Sequence, residues 1–306
     1  MTDILMIGYG PVGRATVALL QARGTPVRVA QRSRPSDMPE GVAFTHCDVL
    51  DAASIRAAVK GAGQVAVAIG FDYTGKVWGR TWPIAMRNLL DACAEEGARM
   101  VFLDNLYMYG PQRAPLVETM PLSTHGRKPA ARSKITRMWQ DDDHVKTAAL
   151  RAPDFYGPGV LLSHIGETGL AAIARGKPAM FVFSPDQPHD FAYVPDIGRA
   201  MVTLLDADDD AFGQAWHMPC APTLTSRQIL ELGAAKAGVK LRLRTIPAFL
   251  RVMMAPFVSF LSELEEMRFQ WDRPYRVDAG KWKTRFWSDV TPFYEGVAAT
   301  VGSFAD

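Results

Sequence analysis

Short apolar runs alternate with longer stretches of helical spacing through the first half of the chain. The runs predict strands near residues 4–8, 27–30, 42–45, 65–69, 100–103 and 148–151. The stretches between them predict helices near residues 12–23, 52–60, 83–96 and 133–146. Continuous apolar strands separated by amphipathic helices are typical of a parallel sheet covered on both faces. The pattern therefore predicts an α/β fold with a doubly wound parallel sheet.

The charge balance argues against a nucleic-acid partner. The 306 residues include 34 Lys and Arg against 32 Asp and Glu, a formal charge of +2, with no basic stripe. Cys47, Cys93 and Cys220 are too widely spaced for a zinc site and are expected to be reduced thiols of a cytoplasmic protein. The acidic run at residues 141–144 is expected to be a solvated helix face, and no metal site is predicted.

A second apolar stretch, residues 246–261, lies late in the chain. It contains Arg251 and two prolines, and it is too short and too interrupted to span a bilayer. We therefore expect no membrane partner. A small-molecule substrate is expected, and a homodimer would be ordinary for such a fold.

The turn after the first strand carries the motif G-x-G-x-x-G. Gly8 permits a tight turn, Gly10 lets the backbone approach a pyrophosphate, and Gly13 lets helix and strand pack closely. The helix that begins at Pro11 and Val12 offers N–H groups and a positive dipole to the phosphates. Between a strand and a helix, this motif predicts a dinucleotide-binding, Rossmann-like domain.

The end of the second strand predicts which dinucleotide is bound. Arg32 and Arg34 follow this strand, and no carboxylate occurs there before Asp37. An acidic side chain would hold the ribose 2′-hydroxyl of NAD, whereas a guanidinium binds the 2′-phosphate of NADP. The sequence therefore favours NADP over NAD.

Six further segments resemble those of the extended short-chain dehydrogenase/reductases, in the NAD(P)-dependent epimerase/dehydratase branch. They are Cys47-Asp48-Val49, Ala66-Val67-Ala68-Ile69-Gly70, Asn88-Leu89-Leu90-Asp91-Ala92, Met108-Tyr109-Gly110, Arg151-Ala152-Pro153-Asp154-Phe155-Tyr156-Gly157-Pro158-Gly159 and Asp190-Phe191-Ala192-Tyr193-Val194-Pro195-Asp196-Ile197. The resemblance implies that Asp48 and Val49 contact the adenine and that Ala68, Ile69 and Gly70 pass under the cofactor.

The resemblance also implies a smaller C-terminal substrate domain. We expect residues 1–155 to form the dinucleotide-binding domain, with 189–215 returning to it, and residues 156–188 and 216–306 to form the substrate domain. Aromatic residues of the second domain are candidate substrate contacts, and these are Tyr156, Trp271 and Tyr275.

The catalytic positions depart from the family pattern. The family uses Ser or Thr five residues before the glycine of its V-Y-G segment, then a Tyr and, four residues later, a Lys. This chain has Asn105, Ala130 and Lys134 at those positions. The resemblance implies that Lys134 holds the nicotinamide ribose, but alanine cannot exchange a proton with substrate.

Other residues are candidates for the missing acid/base. Tyr107 is on the loop that faces substrate in the family, and Asn105 can donate an amide hydrogen to an oxyanion. Tyr107 is equally well interpreted as a packed aromatic. His125 is more simply a surface residue, and Asp72 and Tyr73 follow the fourth strand, where they can reach the nicotinamide end.

Two functions follow from this departure. The first is an NADP-dependent oxidoreductase, or an epimerase/dehydratase-like enzyme, that acts on a carbonyl or hydroxyl carbon of a small molecule with a non-standard acid/base. The alternative is an NADP-binding redox sensor or regulatory protein without turnover.

Overall fold

A computed structural model describes residues 3–305 of the chain. The strands are β1 Ile4–Ile7, β2 Val27–Gln31, β3 Ala43–His46, β4 Gln64–Val67, β5 Arg99–Asp104, β6 Thr147–Arg151, β7 Phe155–Tyr156, β8 Ala179–Phe181, β9 Pro188–His189, β10 Ala192–Tyr193, β11 Gln214–His217, β12 Leu224–Thr225 and β13 Leu243–Thr245. The α-helices are α1 Pro11–Ala22, α2 Ala52–Val59, α3 Gly75–Glu96, α4 Arg127–Gln140, α5 Ala172–Ala174, α6 Val194–Asp206, α7 Ser226–Lys236, α8 Ala248–Met254, α9 Ser259–Glu266, α10 Gly280–Arg285 and α11 Phe293–Gly302.

One seven-stranded sheet has the order β11-β6-β5-β4-β1-β2-β3. Neighbouring strands from β1 to β6 are parallel, and β1 lies between β2 and β4, with Ile4 level with Val27 and Gln64. All four residues of β1 are buried, as expected for a central strand with both faces covered. The predicted α/β fold with a doubly wound parallel sheet is confirmed.

Helix α3 begins eight residues before the predicted start. Its N-terminus is capped by Thr74, whose side chain accepts a hydrogen bond from the backbone N–H of Val77, and Pro83 lies inside the helix. An internal proline removes one helix hydrogen bond, and its ring crowds the carbonyl of the residue four positions earlier. That residue is Gly79, which is exposed and has no side chain to add to the crowding. The expectation that proline starts this helix was wrong.

Helix α4 also begins earlier than predicted, at Arg127 and not near residue 133. Pro129 lies in its first turn, where a missing N–H removes no helix hydrogen bond. The helix packs against α3, and Ala131, Ile135 and Trp139 recur at a spacing of four on its buried face. The earlier start adds Lys128 and Arg132 to the helix, and both are buried.

The chain forms two compact units. The first contains residues up to Met108, Pro121–Arg151 and Ile197–Trp216. It includes all of the seven-stranded sheet except the last residue of β11. The second contains Tyr109–Met120, Ala152–Asp196 and the chain from His217 onward. The segment Tyr109–Met120 thus groups with the second unit, whereas the expected first domain was drawn as one run over residues 1–155.

The second unit contains three two-stranded sheets. Strands β7 and β10 are parallel, β8 and β13 are parallel, and β9 and β12 are antiparallel. Helices α7 and α11 pack together, and Gly233 of α7 lies against Leu170 and Val301. Within residues 3–305, no helix has the length and apolar character needed to cross a membrane.

Candidate functional site

The turn between β1 and α1 is closed on two sides by its own packing. Gly8 has φ +93°, and a Cβ at this position would overlap the carbonyl oxygen of Ala68. A Cβ at Gly13 would overlap the carbonyl oxygen of Gly8. The N–H of Gly8 donates to the carbonyl of Ala30 at 2.9 Å, which ties the turn to β2. Both glycines are therefore needed for the turn itself, before any ligand is considered.

Gly10 differs from the other two glycines because its Cβ position faces open space. No atom lies within 4 Å of a Cβ built there, and its φ of −75° is open to any residue. Gly10 is the N-cap of α1 without a side-chain cap, Pro11 follows at the first position, and Val12 is buried. A side chain would fit at this position without a clash, so packing does not require Gly10, and the first-turn N–H groups of α1 have no side-chain cap.

The end of β2 carries the two predicted arginines. Gln31 orders the turn, because its Oε1 accepts from the N–H of Tyr9 at 3.0 Å and its Nε2 donates to the carbonyl of Ser33 at 2.8 Å. Arg32 and Arg34 are exposed, and the Arg34 guanidinium lies 5.9 Å from the ring centre of Phe44. The arginines are available to an anionic ligand.

The nearest carboxylate after the arginines, Asp37, forms an ion pair with Arg14 of α1. The guanidinium of Arg14 also lies 4.8 Å from the ring centre of Tyr9 in the glycine turn. The negative charge of Asp37 is thus paired with a cation of the first helix.

The segment after β3 contains the residues that resemble an adenine site. Asp48 is half-buried, and its Oδ1 accepts from the N–H of Leu50 at 3.0 Å. Val49 is buried, and its carbonyl accepts from Nδ2 of Asn88 on α3 at 3.0 Å. Burial and the neighbouring Asp48 carboxylate raise the pKa of Cys47 to about 11, so this thiol is protonated at neutral pH.

The segment after β4 lies beside the glycine turn. The N–H of Ala68 donates to the carbonyl of Ile7 at 2.9 Å, and Ile69 packs against the core. Gly70 is exposed, with no atom within 4 Å of a Cβ built on it. The structure thus brings the predicted segment 68–70 to the turn, with Ala68 against Gly8.

The end of β5 holds a buried ionic cluster that sequence reasoning missed. Arg132 of α4 donates from Nε to Oδ1 of Asp104 at 2.9 Å, and Nε of Arg151 lies 3.6 Å from Oδ2 of the same carboxylate. All three side chains are buried. The Arg132 guanidinium also lies 4.2 Å from the ring centre of Trp82 on α3. These contacts join β5, α3 and α4 directly beside Asn105.

Asn105 and Tyr107 form a tight turn after β5. The Oδ1 of Asn105 accepts from the N–H of Tyr107 at 3.0 Å, which orients the side-chain amide and leaves its N–H₂ group as the donor. The Tyr107 ring stacks on Trp78 of α3, with ring centres 5.8 Å apart and an interplanar angle of 14°. Tyr107 therefore also has the structural role of a packed aromatic.

Lys134 lies on the exposed side of α4. With Arg87, Arg137 and the loop containing Asp142, it lines an open surface cavity of about 480 Å³. Asp142 lies 3.6 Å from Arg87, and its Oδ1 accepts from the N–H groups of His144 and Val145. The surroundings of Lys134 are thus a surface ion cluster.

Lys128 and Arg132 occupy the buried side of the same helix, one turn apart. Lys128 is 0% exposed, and its ammonium lies 4.6 Å from the ring centre of Tyr73. The Tyr73 ring contacts Trp78 edge to face, and Trp78 in turn stacks on Tyr107. Tyr73, a predicted substrate contact, is thereby linked to Lys128.

The three predicted aromatic contacts of the second unit are buried in its core. Tyr156 stacks on Phe293, and a Cβ on Gly296 would lie 2.6 Å from its hydroxyl oxygen. Trp271 and Tyr275 both stack on His189, with ring centres 4.0 and 5.1 Å away. The predicted substrate role of all three stays untested, but packing already accounts for their positions.

The remaining candidates are at the surface. His125 and Asp72 are both exposed. Among the residues that the structure describes, no group of three or more His, Cys, Asp or Glu side chains is arranged to hold a metal ion.

The sequence contains a signal that would have found Lys128 and Arg132. Counting by four from Trp139 and Ile135 reaches Ala131, and Lys128 and Arg132 flank that line on the buried face. Lys134 falls outside it. The resemblance to the family motif selected the lysine by alignment, whereas helical periodicity selects the buried pair.

Comparison with solved structures shows the same fold in enzymes that hold NAD. The chain superposes on the Bordetella bronchiseptica enzyme WbmH in complex with NAD⁺ with a TM-score of 0.79, at 16% identity over 99% of this chain and 98% of that one. It superposes on Thermus thermophilus UDP-glucose 4-epimerase in complex with NAD with a TM-score of 0.77, at 20% identity over 99% and 98%.

A third neighbour is a dehydratase. The dTDP-glucose 4,6-dehydratase DesIV of Streptomyces venezuelae, with NAD bound, gives a TM-score of 0.79 at 18% identity, over 99% of this chain and 96% of that one. None of the curated proteins gives a significant match. At these identities the likeness to solved structures establishes the fold.

The family itself is shown by the sequence. Residues 4–217, from the first strand of the sheet to its last, match the model of the NAD dependent epimerase/dehydratase family. This span includes the glycine turn, the segments after β3 and β4, and helix α4. The chain belongs to the NAD-dependent epimerase/dehydratase family.

Proposed function

We propose that the protein is a nicotinamide-cofactor-dependent enzyme acting on a hydroxyl-bearing or carbonyl carbon of a small molecule. The observation that carries this proposal is the glycine turn, closed by packing at Gly8 and Gly13 and open at Gly10. A turn shaped only by folding would need the first and last glycines but would have no reason to keep the middle position bare. The N–H groups of Val12 and Gly13 would bind the pyrophosphate there.

We also propose that NADP is preferred over NAD. The support is the exposed guanidinium of Arg32, one residue after β2, together with the engagement of Asp37 by Arg14. A fork of N–H donors matches a 2′-phosphate, and no carboxylate at the end of β2 would repel it. The solved neighbours hold NAD, and parallel titrations of this chain with NADPH and NADH test the preference directly.

Asp48 and Ala68 complete the proposed cofactor site. The half-buried Asp48 carboxylate would accept from the adenine amino group, and the segment through Ala68, Ile69 and Gly70 would line the path toward the nicotinamide. The bound cofactor would supply hydride exchange with a substrate carbon. The remaining chemistry, the binding of oxygen atoms and the movement of protons, falls to side chains of the protein.

Lys128 is our proposal for the cationic group of this site, in place of Lys134. It is buried on the inner face of α4 and touches Tyr73, whereas Lys134 lies in a surface ion cluster. An ammonium has three donors, enough to hold hydroxyl groups and to give or take a proton in place of the missing tyrosine. The amide N–H₂ of Asn105, oriented by the Tyr107 backbone, would bind a developing oxyanion.

The decisive experiment compares Lys128→Met with Lys134→Met. Methionine keeps most of the aliphatic stem and removes the charge. NADPH binding and turnover are measured for the full chain, with UDP- and dTDP-hexoses as the first substrates, because the neighbours act on such compounds. We expect turnover to fall about 100-fold or more in Lys128→Met and to change little in Lys134→Met. The reverse result would return the role to the lysine of the family motif.

A redox sensor without turnover remains the second candidate, because Tyr107, the leading replacement for the missing tyrosine, is stacked on Trp78. A sensor would bind NADPH with the wild-type chain yet leave every tested sugar nucleotide unchanged. In that case neither lysine variant alters any turnover, and the glycine turn retains its binding role. Activity sensitive to Lys128 would exclude the sensor.

A further inference from the structure

Exposed apolar side chains are concentrated in one short segment of the second unit. Five of them form what we call the apolar patch, and they are Phe249, Val252, Met253, Phe257 and Phe260. Phe249 is 71% exposed and Phe257 is 87% exposed. Single exposed apolar residues are ordinary, but a contiguous set with three phenylalanines marks an interaction surface. The patch lies within the apolar stretch that sequence analysis found too short to span a bilayer.

Helix α8 has the reverse polarity of an ordinary surface helix. Its one charged residue, Arg251, is buried, while Phe249, Val252 and Met253 point outward. Arg251 forms an ion pair with Glu265 of α9, and its Nη1 donates to the carbonyl of Val182 at 3.2 Å. These inward contacts fix the orientation of the helix, so its apolar side is held away from the core.

Positive charge predominates around the apolar patch, because the glutamates that follow Phe260 on α9 are buried or half-buried and Glu265 is paired with Arg251. From residue 232 to residue 262 the chain contains five Lys and Arg and no Asp or Glu. Four of these cations are exposed, and they are Lys236, Lys240, Arg242 and Arg244. Strand β13 pairs with β8, which places Arg244 level with the half-exposed Met180. Basic and apolar side chains are therefore combined on the same stretch of surface.

This combination determines which occupant fits. A second copy of the chain would bring the same excess of exposed cations to a symmetric contact, so like charges would face each other. A neutral apolar partner would use the phenylalanines but leave the cations without a role. A surface of anionic lipid headgroups over an acyl layer satisfies both, because cations pair with phosphates while aromatic and Met side chains enter the interface.

We propose that the apolar patch and its flanking cations bind the surface of an anionic lipid bilayer. The segment lies in the membrane interface and does not cross it, consistent with the absence of a spanning helix in residues 3–305. The expectation of no membrane partner considered spanning alone, and interfacial binding is a separate mode. The inference does not depend on the proposed catalytic chemistry.

The test is sedimentation of the full chain with two kinds of vesicle. One is phosphatidylcholine alone, and the other contains about 30 mol% phosphatidylglycerol, whose negative surface potential attracts basic segments. We expect binding to the anionic vesicles, loss in high salt, and little binding to the neutral ones. The double variant Phe257→Ser/Phe260→Ser removes the inserted side chains. The triple variant Lys240→Gln/Arg242→Gln/Arg244→Gln is expected to lower the partition coefficient roughly 100-fold.

Leu162→Ser is the matched control, because Leu162 is 98% exposed and lies outside the segment. It is expected to bind vesicles like the wild type. The proposal is overturned if the wild type stays in solution with anionic vesicles, or if the Phe257→Ser/Phe260→Ser variant still sediments fully. A concentration-dependent dimer that the same double variant dissolves would assign the patch to a second copy and would equally overturn it.

Discussion

The guanidinium of Arg132 on α4 donates from Nε to Oδ1 of Asp104, 2.9 Å away at the carboxyl end of β5. Both side chains are almost fully buried, and Arg151 contacts the same carboxylate from β6. This pair determines which face of α4 is turned inward. It therefore places Lys128, one turn before Arg132, in the interior and Lys134 at the surface.

Asp104→Asn tests this pair. Removing the carboxylate charge leaves two buried guanidiniums facing a neutral amide, and breaking a buried ion pair costs about 3–5 kcal/mol. We expect the free energy of unfolding, measured in urea, to fall by roughly that amount. Asp206→Asn is the control, since Asp206 pairs with Arg23 at the surface and its loss should cost less than about 1 kcal/mol. If Asp104→Asn lowered the free energy of unfolding as little as Asp206→Asn does, the buried cluster would not be important for stability.

Gly10→Asp is expected to separate cofactor binding from folding. Aspartate is a favoured N-cap residue, so thermal stability should be unchanged or raised, while its carboxylate takes the N–H groups and repels a pyrophosphate. At an effective dielectric of 20 the repulsion is about 4 kcal/mol, so NADPH affinity should fall by roughly 100-fold or more.

Gly10→Asn has the same shape without the charge, so both variants should lose affinity through crowding, and Gly10→Asp should lose more because its charge also repels the pyrophosphate. Gly13→Ala, in contrast, should destabilise the fold by about 1–3 kcal/mol, because its Cβ overlaps the carbonyl of Gly8. Thermal unfolding of the apoprotein and NADPH titration distinguish these outcomes. If Gly10→Asp binds NADPH normally, the glycine turn is not the phosphate site.

Arg32→Glu tests the proposed preference for NADP. Charge-assisted hydrogen bonds to a phosphate contribute about 1.5–3 kcal/mol, so the affinity for NADPH should fall roughly 10- to 150-fold. The affinity for NADH should hold or rise, because glutamate accepts from the ribose 2′-hydroxyl. Parallel titrations of both cofactors provide the measurement, with Arg56→Glu on the distant face of α2 as the control. An equal loss for both cofactors would contradict a role in recognising the 2′-phosphate.

The pair of Asp154 and His189 in the second unit predicts an acid-dependent loss of stability. Burial alone would raise the pKa of Asp154, but the hydrogen bond from His189 at 3.0 Å and the charge of that ring lower it below its ordinary value. A carboxyl whose pKa is lowered by folding stabilises the protein above its unfolded pKa, near 4, and loses this effect as the pH falls through the folded pKa.

Asp154→Asn should therefore reduce the free energy of unfolding by about 1–3 kcal/mol at neutral pH. The difference from wild type should be constant down to about pH 5 and shrink below about pH 4. Urea unfolding at several pH values provides the measurement. Asp186→Asn, at an exposed pair with Arg227, should show only a small difference. A difference that grows on acidification would reverse the assigned direction.

The sheet and the glycine turn were predictable from the sequence because each depends on neighbours in the chain. Period and strand length predicted β1 to β6, and glycine spacing predicted the turn at Gly8 and Gly13. The start of α3 was not predictable in this way, because Pro83 lies inside the helix, whereas proline is usually found at the start of one.

The identity of the buried cation required the structure. Alignment to the family motif selects Lys134, since the motif counts residues along the chain. The inward face of α4 depends on its packing against α3 and on the Asp104 carboxylate, which are distant in sequence. The reversed polarity of α8 was hidden for the same reason, because the partner of Arg251 is Glu265, on the next helix.

The contact between Gly8 and the carbonyl of Ala68 makes the glycine turn a composite of two distant segments. A fragment that ends before Gln64 contains the complete glycine motif but lacks the strand against which the turn is shaped. During synthesis, the emerging chain therefore carries the motif well before it carries a site. A truncated or growing chain without β4 is therefore expected not to retain the nucleotide. Retention of nucleotide would report that β4 has joined the sheet.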